Sequence, residues 1–162
     1  MTTSTKNHTA PTLQRKTALE SHLIKISSDF LKALNSRMWS TNLYPWTHLS
    51  PDFTCERRFA EWPPSLDLSG FFEHYKRVAN DYPEFRVSAP DISANVNPTT
   101  GTATVFMYFA MEGFTPGVTR YSFGFCDWKG LGDGRWQCVK MTSLPGSPES
   151  DGVGVEMGLK RE

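Results

Sequence analysis

The chain carries no surplus of charge of either sign: 17 Lys and Arg stand against 17 Asp and Glu. No long-range field therefore draws it to nucleic acid or to an anionic membrane, and no basic run or stripe supplies a local one. Cysteine is scarce as well. Cys55, Cys126 and Cys138 are an odd three, with no CxxC pair and no Cys/His grouping at zinc-ligand spacing. Each sits in an apolar or alternating segment and reads as a small buried hydrophobe. No apolar run approaches the roughly 18 residues that would span a bilayer, and the opening MTTSTKNHTAPTLQRK lacks the apolar core of a leader. These absences predict a soluble, cytoplasmic protein with neither a nucleic-acid nor a membrane partner.

The signatures of covalent and metal chemistry are missing too. There is no GxSxG elbow and no Cys with a nearby His. No pair among His8, His22, His48 and His74 has metal-ligand spacing, and no carboxylates join them in a facial triad. His8 falls in the polar N-terminal stretch, His22 off the centre of its helix's apolar stripe, and His74 on the solvated side of its helix. His48 has a surface or capping place beside Trp46, or else the pocket mouth. Gly130-Leu131-Gly132-Asp133-Gly134 lacks the GKS/T ending of a phosphate loop and precedes a strand, so it reads as a hairpin turn. Neither a metal nor a cofactor is expected. What remains is acid–base and electrostatic work in a dry pocket.

One domain fits the 162 residues. Residues 1–16 have almost nothing to bury and read as a disordered arm; 144–162, rich in Pro, Gly and Ser, read as a flexible tail. The folded unit is then 17–143. Its first element is a helix over Thr17–Met38, because Leu19, Leu23, Ile26, Phe30 and Leu34 fall within about 80° of one another at about 100° per residue. A short helical or irregular stretch, Trp39–Leu49, leads to a short strand at Phe53–Arg57. A helix from Leu66 or Asp67, capped by Asp67 or Ser69, places Phe71, Phe72, Tyr75, Val78 and Tyr82 on one face and ends at Pro83. Beyond Glu84 the period changes to two. Four strands, at about 85–96, 101–113, 117–128 and 134–143, are joined by turn-rich connections and pair as an antiparallel meander.

This order makes the domain α+β. The segments LKALNSRMW, HLSPDF, SGFFEHYKRV and FGFCDWKGLGDGRWQCVKM, in that order, resemble the nuclear-transport-factor-two-like superfamily. Within it the chain is similar to the SnoaL-like branch of small cyclases, isomerases and dehydratases. The resemblance covers 17–143 and is one of element order, with no diagnostic catalytic string. It implies a curved antiparallel sheet, the meander plus the short strand, wrapped by three N-terminal helices around a cone-shaped pocket. It also implies a cofactor-independent enzyme that isomerises, cyclises, rearranges or dehydrates an apolar natural-product intermediate. A small-molecule carrier or a dimeric binding module on the same fold is the alternative.

Strand TATVFMYFAME is apolar on both faces, so both want cover. Helices can cover one. A second copy, joined sheet to sheet, is expected on the other. Arg37 lies on the apolar stripe of the first helix, about 40° from Leu23; it either snorkels out at the helix end or points into the pocket. Tyr108 and Glu112 share a strand face. Glu112 is either a carboxylate raised in pKa by an apolar pocket or a solvated residue at the strand end. A tight Thr115–Val118 turn pairs Glu112 with Tyr121, puts Tyr121 and Phe123 beside Tyr108 and brings Asp127 to the same face; a looser turn substitutes Arg120 and Ser122. On the enzyme reading Glu112 with Asp127 shuttles a proton, Tyr108 and Tyr121 polarise a carbonyl or hydroxyl, and Arg37 tunes the carboxylate or an oxyanion. Phe30, Leu34, Phe71, Tyr75, Phe106 and Phe123 form the apolar wall. Glu56 either reaches the pocket or pairs with Arg57 or Arg58 at the surface.

Overall fold

The computed structural model describes residues 9–58 and 65–145. Helix α1 (Thr9–Asn35) is followed by a 3-10 turn (Trp46–His48), strand β1 (Leu49–Arg57), a short β2 (Ser65–Asp67) and helix α2 (Leu68–Asp81). Strands β3 (Arg86–Asn97), β4 (Thr102–Glu112), β5 (Thr119–Gly130) and β6 (Trp136–Pro145) complete the fold. They form one curved sheet in the order β2-β1-β6-β5-β4-β3, antiparallel throughout except for β1 beside β6. The expected four-strand meander and short strand are present. Among the described residues there are two helices, not three, because Trp39–Leu49 makes only the single 3-10 turn. No helix among the described residues is long and apolar enough to cross a membrane.

Helix α1 begins earlier than its apolar stripe. Residues 9–16 are already helical, with Pro11 in the first turn, where a missing N–H costs nothing and its fixed φ suits the helix. Of the expected arm, 1–8 lie outside the described residues; of the expected tail, 144 and 145 close β6 and the rest lie outside them. The stripe packs as its spacing dictates: Leu23, Ile26, Phe30 and Leu34 are buried. Phe30 lies flat between Trp46 and Trp128, at centroid distances of 5.6 and 5.8 Å. The helix also covers the free edge of β3. The Asn35 side chain donates to the carbonyl of Val87 and accepts from its N–H, both at 2.8 Å, standing in for a missing strand partner. Helix α2 is capped by Asp67, whose carboxylate accepts from the Gly70 N–H at 2.8 Å.

Arg37 ends α1 instead of entering a pocket. It takes a left-handed backbone, φ 57°, and the chain reverses there with Met38 N–H bonded to the Ala33 carbonyl and Arg37 N–H to that of Leu34. Its guanidinium donates to the carbonyls of Leu34, Pro83 and Phe85 at 3.2, 3.1 and 2.8 Å, tying the helix end to the loop before β3. Arg37→Ala is therefore expected to lower unfolding free energy by about 2 kcal/mol, since charge-assisted hydrogen bonds of this kind are lost together. Urea denaturation at constant m-value measures it.

The β4–β5 hairpin decides which sheet face meets the helices. The turn forms as expected, with Val118 N–H bonded to the Thr115 carbonyl, yet Glu112 stands opposite Thr119, not Tyr121. The shift of two arises at Gly113, φ 94°, where a Cβ would overlap the backbone of Glu84 and Phe85. The strand bends over that loop, and Phe114 packs on Tyr82 and Phe85. A shift of two preserves parity. Tyr121 and Phe123 do lie beside Tyr108, at 5.4 and 5.0 Å between centroids. This set faces away from the helices: Phe106 is 49% and Phe123 46% exposed, whereas Val105, Met107 and Phe109 of the other parity are buried in the core.

Candidate active site

Between the sheet and the helices lies a narrow apolar cavity. Its walls come from α1 (Phe30, Leu31, Leu34), α2 (Phe71, Tyr75), the approach to β3 (Phe85, Val87), β4 (Phe109, Met111), β5 (Ser122) and β6 (Met141, Ser143). The free volume is about 30 Å³, room for a water molecule or two. Four of the residues expected in the wall, Phe30, Leu34, Phe71 and Tyr75, are in it.

Beside this cavity a polar corner brings Arg57 and His74, neither of them expected in the pocket, up to the wall residue Tyr75. β1 alternates, so Phe53, Cys55 and Arg57 point to one buried face, and Arg57 is only 2% exposed. In register it stands beside Ser143 of the cavity wall. Its guanidinium lies over the Tyr75 ring at 4.8 Å and its Nη1 donates to His74 Nε2 at 2.6 Å. An arginine only donates, so His74 accepts through Nε2 and is the neutral Nδ1–H tautomer. Burial first, then the charges of Arg57 and Arg77, lower the His74 pKa to about 4. Burial pushes the Tyr75 phenol up, against the pull of Arg57, so Tyr75 keeps its proton at neutral pH. Burial likewise raises the Cys55 thiol, which rules it out as a ready nucleophile.

His74 makes stability pH-dependent. Unfolded, its imidazole takes a proton near its ordinary value of about 6.5; folded, only near 4. Between these the unfolded state holds more protons, so stability is lost as pH falls through this window, by about 2 kcal/mol at its lower end for a half-buried ring. His74→Gln, which keeps an acceptor, is expected to remove that slope in denaturation curves at pH 7 and pH 4.5.

The other expected site residues lie elsewhere. Tyr108, Tyr121, Phe106 and Phe123 share the outer sheet face with Asp127, which accepts from Thr104 Oγ1 at 3.3 Å. Glu112 is exposed at the strand end, in an open groove with Glu84 and Arg86. Glu56 pairs with Lys140 at 3.0 Å, not with Arg57 or Arg58. His48 Nδ1 donates to the Trp136 carbonyl at 3.1 Å, which gives it a structural place. Arg57 was findable: two residues beyond Cys55 and four beyond Phe53, it shares their face in any strand. Nothing in the spacing of α2 announces His74's partner, since that partner comes from another element. Among the described residues no three His, Cys, Asp or Glu side chains gather as a metal site.

A curved, mostly antiparallel sheet, two helices packed on it and a small apolar cavity between the layers make an α+β fold. No family model matches the sequence, and no curated protein matches it. Solved structures match in fold. An NTF2-like protein of unknown function from Pseudomonas putida KT2440 superposes with TM-score 0.65 at 12% identity, over 83% of this chain and 92% of that one. A candidate ketosteroid isomerase from Shewanella frigidimarina NCIMB 400 gives 0.57 at 11%, over 74% and 92%. Bd1075 of Bdellovibrio bacteriovorus gives 0.58 at 12%, over 78% of this chain; the chain spans 40% of that longer one. The fold is thus NTF2-like, that of the nuclear-transport-factor-two-like superfamily which the sequence resembles.

Proposed function

We propose that the protein is a cofactor-independent enzyme of the isomerase and cyclase kind, which closes or rearranges a small apolar molecule by polarising one of its oxygens. The observation that carries this reading is Arg57, a buried cation held by neutral His74 over Tyr75, whose side chain lines the cavity. A carbonyl oxygen at that corner meets a protonated phenol backed by a fixed positive charge in a region of low dielectric, where such groups act most strongly on a developing oxyanion. Proton-shuttling isomerisation and dehydration need a base beside the substrate, and the described cavity wall offers none. Ring closure asks less. The substrate's own enol carbon attacks the polarised carbonyl carbon, one C–C bond forms, the enol proton leaves to water, and the alkoxide takes a proton from Tyr75, which water restores. The apolar walls hold the two ends together.

Short acyclic diketones test the reading: NMR should reveal the cyclic ketol, isomeric with its precursor, above the rate in buffer. The likeness of fold to the candidate Shewanella ketosteroid isomerase, TM-score 0.57 at 11% identity, agrees with enzymatic use. The absence of a proton acceptor on the described wall favours a second reading, a carrier, which would give saturable binding with no ketol.

The partner proposed for the outer face is a second copy. Phe106 with Phe125, and Tyr108 with Tyr121 and Phe123, make two neighbouring groups of ring contacts on that face, and a monomer rarely leaves so much ring surface to water.

A further inference from the structure

Phe109 rests on bare backbone. Its position on β4 faces Ser122 of β5; two residues on, Gly124 pairs with Ser143 of β6. A Cβ on Gly124 would run into the Phe109 ring, and the Thr142 carbonyl oxygen, 3.0 Å from that Cβ, bars retreat on the other side. Ser122, Gly124 and Ser143 therefore form a low floor on the sheet, and the Phe109 ring fills it. The ring has no further room to sink away from the cavity. The opposite wall is equally fixed, because Phe30 is stacked between Trp46 and Trp128 and Phe71 meets Phe53 and Tyr75 edge-on. Among the described residues Phe109 joins no such aromatic pair. The wall side chains that yield easily are Met111 and Met141, unbranched and adaptable.

We infer that Phe109, seated on Gly124, sets the width of the guest, and that the guest is slender: an acyl chain or a single ring, not a fused polycycle. This rests on the cavity being the ligand site. A slot with two rigid aromatic sides widens only where methionines swing away, so it admits one ring thickness. The substrate class is accordingly an open-chain or monocyclic oxygenated molecule, met before any polycycle has formed.

Calorimetric titration with octanoate, phenylacetate and anthracene carboxylate tests this, each probe offering a carboxylate to the Arg57 corner. The intact chain should bind the first two and bind anthracene carboxylate roughly tenfold or more weakly, the scale on which apolar pockets discriminate by size. Phe109→Ala, or Phe109→Leu if the first does not fold, should recover roughly that factor for anthracene carboxylate. Gly124→Ala should drive the ring into the slot and weaken phenylacetate by a similar amount. If the intact chain binds anthracene carboxylate as tightly as phenylacetate, and Arg57→Met abolishes both, the width argument fails while the site stands. If no probe binds any variant, or Arg57→Met binds like the intact chain, the site itself is wrong and the inference falls with it.

Discussion

Arg57→Met is expected to weaken binding of octanoate and phenylacetate about 30-fold or more, the low end of the loss that follows truncation of one partner of a buried, hydrogen-bonded charge pair. The fold should survive. A buried charge costs several kcal/mol to desolvate, so an apolar side chain of similar length often leaves stability near neutral, and Met also covers the Tyr75 ring. Thermal unfolding within a few degrees of the parent, with affinity lost, separates a binding role from a structural one. Arg57→Lys should be intermediate, because an ammonium keeps the charge but not the fork that reaches His74 while lying flat on Tyr75. His74 supplies an independent readout: freed of the Arg57 charge, its pKa should climb from about 4 toward the ordinary value, visible in imidazole NMR shifts. Unchanged affinity alongside a climbing His74 pKa would show that Arg57 serves the fold alone.

The second large effect concerns the outer sheet face. Phe106→Asp combined with Phe123→Asp should turn a dimer into a monomer, raising its dissociation constant roughly 1000-fold or more, since central aromatic anchors each cost about 2 kcal/mol or more when lost and buried carboxylates add a desolvation penalty. Both side chains are about half exposed in the single chain, so the monomer should keep its unfolding midpoint. Sedimentation velocity at micromolar concentration decides. A parent that runs as a monomer would remove the second copy from the account.

The two faces of β4 show where sequence reasoning stopped. Alternation made Phe106, Tyr108 and Glu112 one set and Val105, Met107 and Phe109 the other, but both sets are apolar, so periodicity could not say which one the helices cover. The hint lay at the strand ends. Glu112, Asp127 and Lys129 share the parity of Phe106, whereas the inner parity on β5 is Arg120, Ser122, Gly124, Cys126 and Trp128, charged only at Arg120 by the hairpin end and otherwise mostly small. Assigning the wrong parity moved Tyr108, Tyr121, Phe106 and Phe123 into the cavity on paper, and Glu112 and Asp127 with them. Arg37 misled for a related reason: helical spacing fixes an angle, but a left-handed residue at the helix end has already left the helix.

Local periodicity by itself determined the two helices, the strand ending at Arg57, the four-strand meander, their order, the Thr115–Val118 turn and four residues of the cavity wall, and it narrowed the α2 cap to Asp67 or Ser69, because those follow from interactions within a few residues along the chain. Tertiary packing alone decided that β1 lies parallel to β6, that one parity of the meander faces the helices, and that Arg57, His74 and Tyr75 converge. Those depend on residues far apart in sequence meeting across a sheet, and a pattern of period two or 3.6 carries no record of what stands opposite.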